Sequence, residues 1–230
     1  MIMIPITRTL KCTRMCMLVK RLKSSQEWLN RQKSDPYVEK AKNYNYRCRS
    51  AFKLIEMNEK TNIITPGLTV VDLGAAPGSW TQVAVQKTNA DGADPKKPKG
   101  TVLSIDKLPI FPIEGATILS GMDFSTIEAH DKVISELGEK KVDIVISDMA
   151  PSATGVKELD KDRIIGLCYM ALRFAALVTK VKGNLLIKVW DGGEVPILEM
   201  DLGRFYENVK VLKPQASRSD SSEKFILARG

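Results

Sequence analysis

Histidine, paired cysteines and long apolar runs are all but missing from this chain. His130 is the only histidine among 230 residues, and the four cysteines (Cys12, Cys16, Cys48 and Cys168) form no Cys-x-x-Cys pair. With so few imidazoles and no clustered thiols, a zinc centre has too few ligands. Four scattered cysteines in a chain of this length also make no disulfide framework, and they read as free thiols of a reducing compartment. No stretch of about 18 apolar residues occurs, which excludes a membrane-spanning helix. The dinucleotide fingerprint Gly-x-Gly-x-x-Gly is absent as well, which argues against a nicotinamide-dependent oxidoreductase. No internal repeat is found.

Acids are missing from the first 26 residues. Arg8, Lys11, Arg14, Lys20, Arg21 and Lys23 stand there among Thr7, Thr9, Thr13, Ser24 and Ser25, and the first acid is Glu27. Basic, hydroxylated and acid-free is the profile of a mitochondrial transit segment. A basic arm that grips RNA has the same composition. A secretory signal fits less well, because the cations are interspersed with the apolar residues. Residues 27–45 read as a basic amphipathic arm with a turn at Asp35-Pro36, and 46–230 as one folded domain. Over the whole chain Lys and Arg outnumber Asp and Glu by 35 to 27, a net charge of +8. That balance suits a polyanionic partner or an acidic membrane surface.

What is present centres on Thr69-Val70-Val71-Asp72-Leu73-Gly74-Ala75-Ala76-Pro77-Gly78-Ser79-Trp80. A β-branched run bounded by glycine and proline predicts a buried strand. The residues from Trp80 to Val85 are helix-compatible. Strand, small-residue turn and helix open a nucleotide site in an α/β sheet, where ligands bind at the carboxyl ends of strands. Small residues let a ligand approach the backbone closely. Asp72 precedes the turn, where a carboxylate can meet a cationic or hydroxyl-bearing ligand.

Further strands are predicted at Thr101–Ile105, Ala116–Leu119, Val142–Ser147, Gly183–Trp190, Val209–Pro214 and Lys224–Ala228. Helices are predicted from Ala51 to about Lys60 with Ser50 as cap, and over Ser125–Leu137, Asp160–Lys180 and Val195–Phe205. The apolar stripe of the 160–180 helix, including Leu167, reads as core packing. His130, among charges, reads as a surface residue. The lysines of Pro95-Lys96-Lys97-Pro98-Lys99-Gly100 suit either phosphate contact or plain solvation. Lys188 lies near the end of an apolar strand, where a lysine is costly unless it is paired or used. Lys53 alone would read as a solvated helix lysine.

The string Asp72-Leu73-Gly74-Ala75-Ala76-Pro77-Gly78-Ser79-Trp80 resembles motif I of the FtsJ/RrmJ family of RNA ribose methyltransferases. Ser79 departs from the family's usual Gly or Ala. Three further stretches resemble family motifs: Arg47-Cys48-Arg49-Ser50-Ala51-Phe52-Lys53-Leu54, Ser147-Asp148-Met149-Ala150-Pro151, and Lys213-Pro214-Gln215-Ala216-Ser217-Arg218-Ser219-Asp220-Ser221-Ser222-Glu223. The resemblance spans about Arg47 to Ala228. It implies a Rossmann-like α/β fold with a seven-stranded, mostly parallel sheet and helices on both faces. It implies S-adenosylmethionine as methyl donor, held by Asp72, Gly74, Pro77, Gly78, Ser79, Trp80, Asp106, Asp123 and Asp148, and no metal. Gly121-Met122-Asp123-Phe124 carries an inserted Met122 relative to the family's Gly-Asp-Phe.

The resemblance also implies a catalytic tetrad of Lys53, Asp148, Lys188 and Glu223. A sulfonium-borne methyl is already electrophilic, so the weak partner is the protonated ribose hydroxyl, which must be aligned and deprotonated. Lys188 is assigned as general base, Lys53 as the charge favouring the developing alkoxide, and Asp148 and Glu223 as orienting groups. The basic leader, the arm and the Tyr46-Arg47-Cys48-Arg49 start resemble the branch that methylates a uridine of mitochondrial large-subunit rRNA. The implied partner is rRNA in an assembling large subunit, and the implied location is the mitochondrial matrix. Alternatives are a tRNA or mRNA-cap ribose methyltransferase, and a non-catalytic RNA-binding assembly factor. Ser217, Arg218, Ser221 and Ser222 suit RNA phosphate or loop ordering.

Overall fold

The structure, a computed structural model, describes residues 35–152 and 154–230. The expected transit segment and the first part of the arm, up to residue 34, lie outside the described residues. Among them the helices are α1 Pro36–Asn43, α2 Ala51–Thr61, α3 Ser79–Thr88, α4 Ile127–Leu137, α5 Lys157–Val178 and α6 Val195–Leu202. The strands are β1 Thr69–Leu73, β2 Thr101–Asp106, β3 Ala116–Ser120, β4 Val142–Ser147, β5 Thr179–Trp190, β6 Asn208–Leu212 and β7 Glu223–Arg229.

One seven-stranded sheet runs β3-β2-β1-β4-β5-β7-β6. The pairings from β3 through β5 are parallel, and β7 is antiparallel to both of its neighbours. The chain moves outward from β1 to β3, then returns to lay β4 on the other side of β1. That reversal opens a crevice at the strand ends of β1 and β4, which is where ligands sit in such sheets.

Alternate residues feed two cores. Val71, Leu103, Val145, Ile187 and Ile226 face a layer that includes Phe174 and Leu198 from α5 and α6. Val70, Val102, Ile144, Ile146, Leu186 and Phe225 face Leu54, Trp80 and Val83 from α2 and α3. The sheet is thus apolar on both faces, as a parallel sheet between helices must be. Lys188 and Trp190 alternate with Ile187 and Val189 and so share a face with Leu186. Across the antiparallel pair they stand opposite Phe225 and Glu223.

Several local expectations change. Asp35-Pro36 starts a helix rather than a turn: the Asp35 side chain accepts from the Tyr37 N–H at 3.1 Å, and Pro36 occupies the first helical position. The helix α1 packs through Ala41 against Phe52 and Ala216. Ser50 precedes α2 but makes no capping bond, because its hydroxyl is turned to Ser79 at 2.8 Å. The strand β5 begins at Thr179, directly at the end of α5. His130 is not a free surface residue: it packs at a tilt against the Phe124–Phe174 pair, ring centroids 4.4 and 5.3 Å away, with Nε2 2.8 Å from the Phe124 carbonyl.

Candidate active site

The β1–α3 turn is built by its backbone. Gly74 has φ +74°, and its N–H donates to the Ile105 carbonyl at 2.9 Å, fixing the turn to β2. A Cβ on Gly74 would lie 2.4 Å from Met149 Cγ. Gly78 has φ +109°, and a Cβ there would lie 2.6 Å from an Arg47 guanidinium nitrogen. Both positions therefore require glycine.

Beside this turn lies a cavity of about 270 Å³. Gly74, Asp106, Asp123 and Asp148 line it, together with apolar Leu108, Phe124, Met149 and Leu167. Leu167 was expected in the core but faces this cavity. Asp106 accepts the Leu108 N–H on one oxygen (2.7 Å) and the Ala76 N–H on the other (2.9 Å). Each oxygen keeps a further lone pair for a hydroxyl. The backbone N–H and hydroxyl of Ser125 hold the Asp123 carboxyl below its ordinary range.

Asp72, Pro77, Gly78, Ser79 and Trp80 are not among the cavity's lining residues. Asp72 is completely buried beneath it, with Oδ2 accepting from Thr81 Oγ1 at 2.8 Å, while Oδ1 has no partner among the described residues. Burial pushes its carboxyl up to about 7; the Thr81 hydroxyl pulls down, and the charges of Asp148 and Asp106 push further up. The Ser79 hydroxyl meets Cys48 Sγ at 3.0 Å. The Trp80 indole donates to the Ser50 carbonyl at 2.9 Å and packs on Phe225. These two side chains fasten α3 to the start of α2. The first-turn amides of α3 remain free of intrahelical partners by geometry and carry the helix's positive end.

Lys53, Asp148, Lys188 and Glu223 come from α2, the end of β4, β5 and the start of β7. They form two ion pairs. Lys53 Nζ lies 2.6 Å from one Glu223 oxygen and 2.8 Å from the other. Lys188 Nζ donates to the Asp148 carbonyl at 2.5 Å and lies 3.1 Å from Asp148 Oδ1. That Oδ1 is buried and has no well-directed hydrogen bond among the described residues, so the contact with Lys188 is electrostatic. All four side chains are largely buried, Lys188 most deeply at 8% exposure.

The pairs are coupled. Burial raises the Glu223 carboxyl, but the adjoining Lys53 ammonium, the Ser217 hydroxyl and the charge of Lys188 outweigh it and hold the group below its ordinary value. Ser217 Oγ donates to Glu223 Oε1 at 2.7 Å, and Ser221 Oγ accepts the Glu223 N–H at 3.2 Å. Reading the sequence left the role of these serines open; their spacing before Glu223 was the available signal. Behind Lys188, Cys168 Sγ donates to its carbonyl at 3.2 Å, and burial pushes that thiol up to about 12 against the lowering charge of Lys188, so it stays protonated.

The site thus has a glycine turn beside an acid-lined cavity, and Asp148 belongs both to that cavity and to a lysine pair. Comparison with known proteins agrees with this architecture. Residues 46–230 match the FtsJ-like methyltransferase family. The chain is 56% identical over 209 residues to the mitochondrial rRNA methyltransferase 2 of Drosophila melanogaster, covering 91% of this chain and 84% of that one. It is 46% identical over 207 residues to the ribosomal RNA large subunit methyltransferase E of Cereibacter sphaeroides, covering 90% and 84%. A crystal structure of a Plasmodium falciparum protein described as a ribosomal RNA methyltransferase superposes with TM-score 0.68 at 26% identity, over 80% of this chain and 98% of that one. The chain is therefore a member of the FtsJ-like methyltransferase family.

Proposed function

We propose that this protein transfers the methyl group of S-adenosylmethionine to a ribose 2′-hydroxyl, a uridine's, of large-subunit rRNA in the mitochondrion. The observation that carries the reading is that Asp148, which lines the acid-lined cavity, also pairs with Lys188, whose charge in turn acts on the Lys53–Glu223 pair. The substrate and location rest on the relatives: one is named a mitochondrial rRNA methyltransferase and another a large-subunit rRNA methyltransferase. Residues 1–26 would be the targeting segment and 46–230 the catalytic domain.

The cavity suits such a donor. Asp106 offers free lone pairs to a ribose diol, and Asp123 stands ionised nearby for an amino group. Asp148 and the buried Asp72 supply negative potential for a sulfonium and an ammonium. Gly74 leaves room that a side chain would fill. Pro77, Gly78, Ser79 and Trp80 contribute backbone at the positive end of α3, where a carboxylate is stabilised. Bound there, S-adenosylmethionine would supply an electrophilic methyl carbon and a neutral thioether as leaving group.

The chain's own residues act on the hydroxyl. Lys188 takes its proton once the amine has first released its own to solvent, with Asp148 fixing the amine's direction. Lys53 offers positive charge to the oxygen as it becomes anionic. Glu223, braced by Ser217, keeps Lys53 in place. The surrounding apolar residues exclude water, which strengthens each of these charge interactions.

Mapping of ribose methylation in mitochondrial large-subunit rRNA, with and without the protein, tests the reaction. Loss of one methylated uridine is expected; an unchanged map refutes the assignment. A Lys188→Arg variant tests the base, because arginine keeps the charge but does not deprotonate in proteins. Full activity of that variant at neutral pH would eliminate the proton-abstracting role.

A further inference from the structure

A second cavity, of about 250 Å³, lies against the Lys53–Glu223 pair and is lined by Arg49, Lys53, Arg218, Ser221 and Glu223. Its charges do not balance. Lys53 is held by both oxygens of Glu223. The two arginines share one carboxylate, Asp35: Arg49 contacts it directly, and Arg218 reaches it at 3.4 Å. Three cations against two carboxylates leave one positive charge over.

The arginines differ in what they have left to give. Arg49 is mostly buried, also donates to the Ala216 carbonyl, and has an Nε without a partner among the described residues. Burial and the adjacent charge of Arg218 hold its guanidinium below the ordinary value, and Glu223 offsets part of this. An anion beside the two would relieve their repulsion. The Arg218 side chain is 32% exposed, and among the described residues it bonds to Asp35. A guanidinium has five donors, and Arg218, which lines the cavity, spends one of them on Asp35 among the described residues. The Ser221 hydroxyl accepts the Glu223 N–H and keeps its own proton to donate.

We propose that Arg218, backed by Arg49 and Ser221, grips the RNA phosphodiester adjoining the methylated ribose, and that Asp35 of α1 holds the two arginines in position for it. This rests on the function proposed above. In RNA the carbon next to C2′ carries an oxygen of a phosphodiester. A pocket that admits the 2′-hydroxyl at Lys53 and Glu223 therefore brings an anion within a few bonds, and the unmatched charge stands there. A planar fork takes two phosphate oxygens together and fixes orientation as well as charge. Such a contact sets the register of the strand without reading its bases.

The test compares wild type, Arg218→Gln and Arg218→Lys in steady state on unmethylated large-subunit particles or their rRNA, at several salt concentrations. Donor affinity by calorimetry and thermal melting are measured alongside. Arg218→Gln is expected to raise KM for RNA roughly ten-fold or more, as loss of a charge-assisted bond does, with a smaller change in kcat. The dependence of log(1/KM) on log salt should flatten by about 0.7–0.9, the share of one phosphate. Arg218→Lys should recover the slope but only part of KM, since the charge returns and the fork does not. Inorganic phosphate at constant ionic strength should compete far more weakly than RNA; equal competition would mean a free-phosphate site and overturn the proposal. So would an Arg218→Gln enzyme with wild-type KM and salt slope, or one whose melting and donor binding fall together with activity. A wild-type enzyme that leaves rRNA unmethylated would instead refute the underlying function.

Discussion

Asp72 and Glu223 are both largely buried carboxylates near the same end of the sheet, yet their surroundings push them in opposite directions. Asp72 has one hydroxyl partner, an orphan oxygen and two other carboxylates within range, and its carboxyl rises to about 7. Glu223 has an ammonium on both oxygens and a serine on one, and it is held below its ordinary value. Asp72 has no cationic partner among the described residues, whereas Glu223 carries its own in Lys53. On the function proposed above, a ligand bringing positive charge would compensate Asp72, whereas Lys53 and Glu223 already compensate each other.

Breaking the compensated side should have the largest effect. Lys188→Ala is expected to lower kcat by roughly 10²–10⁴-fold, the usual contribution of a positioned acid–base group, with donor affinity retained in calorimetry. Lys53→Ala should do the same to kcat and also cost about 3–5 kcal/mol of stability, because Glu223 stays buried without its counter-charge. Denaturant melts would measure that cost, and Lys53→Ala/Glu223→Gln should recover part of it.

On the other side, Gly74→Ala should weaken donor binding and lower stability by about 1–3 kcal/mol, since a Cβ meets Met149 and the backbone is left-handed. Calorimetry and melting check both. A normal donor affinity would place the donor elsewhere than against this turn.

Next in size is a pH effect that sets the two carboxylates against each other. Folded Asp72 keeps its proton to about pH 7, while the unfolded chain releases it near 3.8. The folded state therefore binds more protons in between, and this group makes stability fall as pH rises from about 4 to 7. Asp72→Asn should remove that slope. Glu223 has the opposite sign: its contribution is present above about 4.5 and is lost as pH falls through its depressed folded value. Melts of the two single variants across pH 3–8 should show opposite changes of slope. A saturating cationic donor should flatten the Asp72 slope by favouring its ionised form.

The smallest effect is a control. Lys132→Ala removes a surface pair with Glu136 one helical turn away, and it should change stability by less than about 0.5 kcal/mol.

Much of this architecture was legible in the sequence. β-branched runs located the strands, and glycine and proline marked the turn after β1. Lys188 stood out because a lysine in an apolar strand needs a reason. What stayed hidden depends on which elements touch. Ser50 looks like a helix cap, but Ser79 lies beside it. His130 sits among charges in sequence and between two phenylalanines in space. Leu167 is one of many apolar residues in α5, and only the opening beside β4 turns it toward a cavity. The tie from Asp35 to Arg49 and Arg218 joins segments up to 183 residues apart.

The amino-acid order by itself determined the strands, the turn and the residue types available for chemistry, because backbone preference and side-chain period act over a few neighbours. Which charges are matched was decided by the tertiary structure alone. Pairing energy depends on distance and desolvation, and both are set by where α2, β4, β5 and β7 meet. One carboxylate therefore gives up its proton only near neutrality, while another is held ionised well below it.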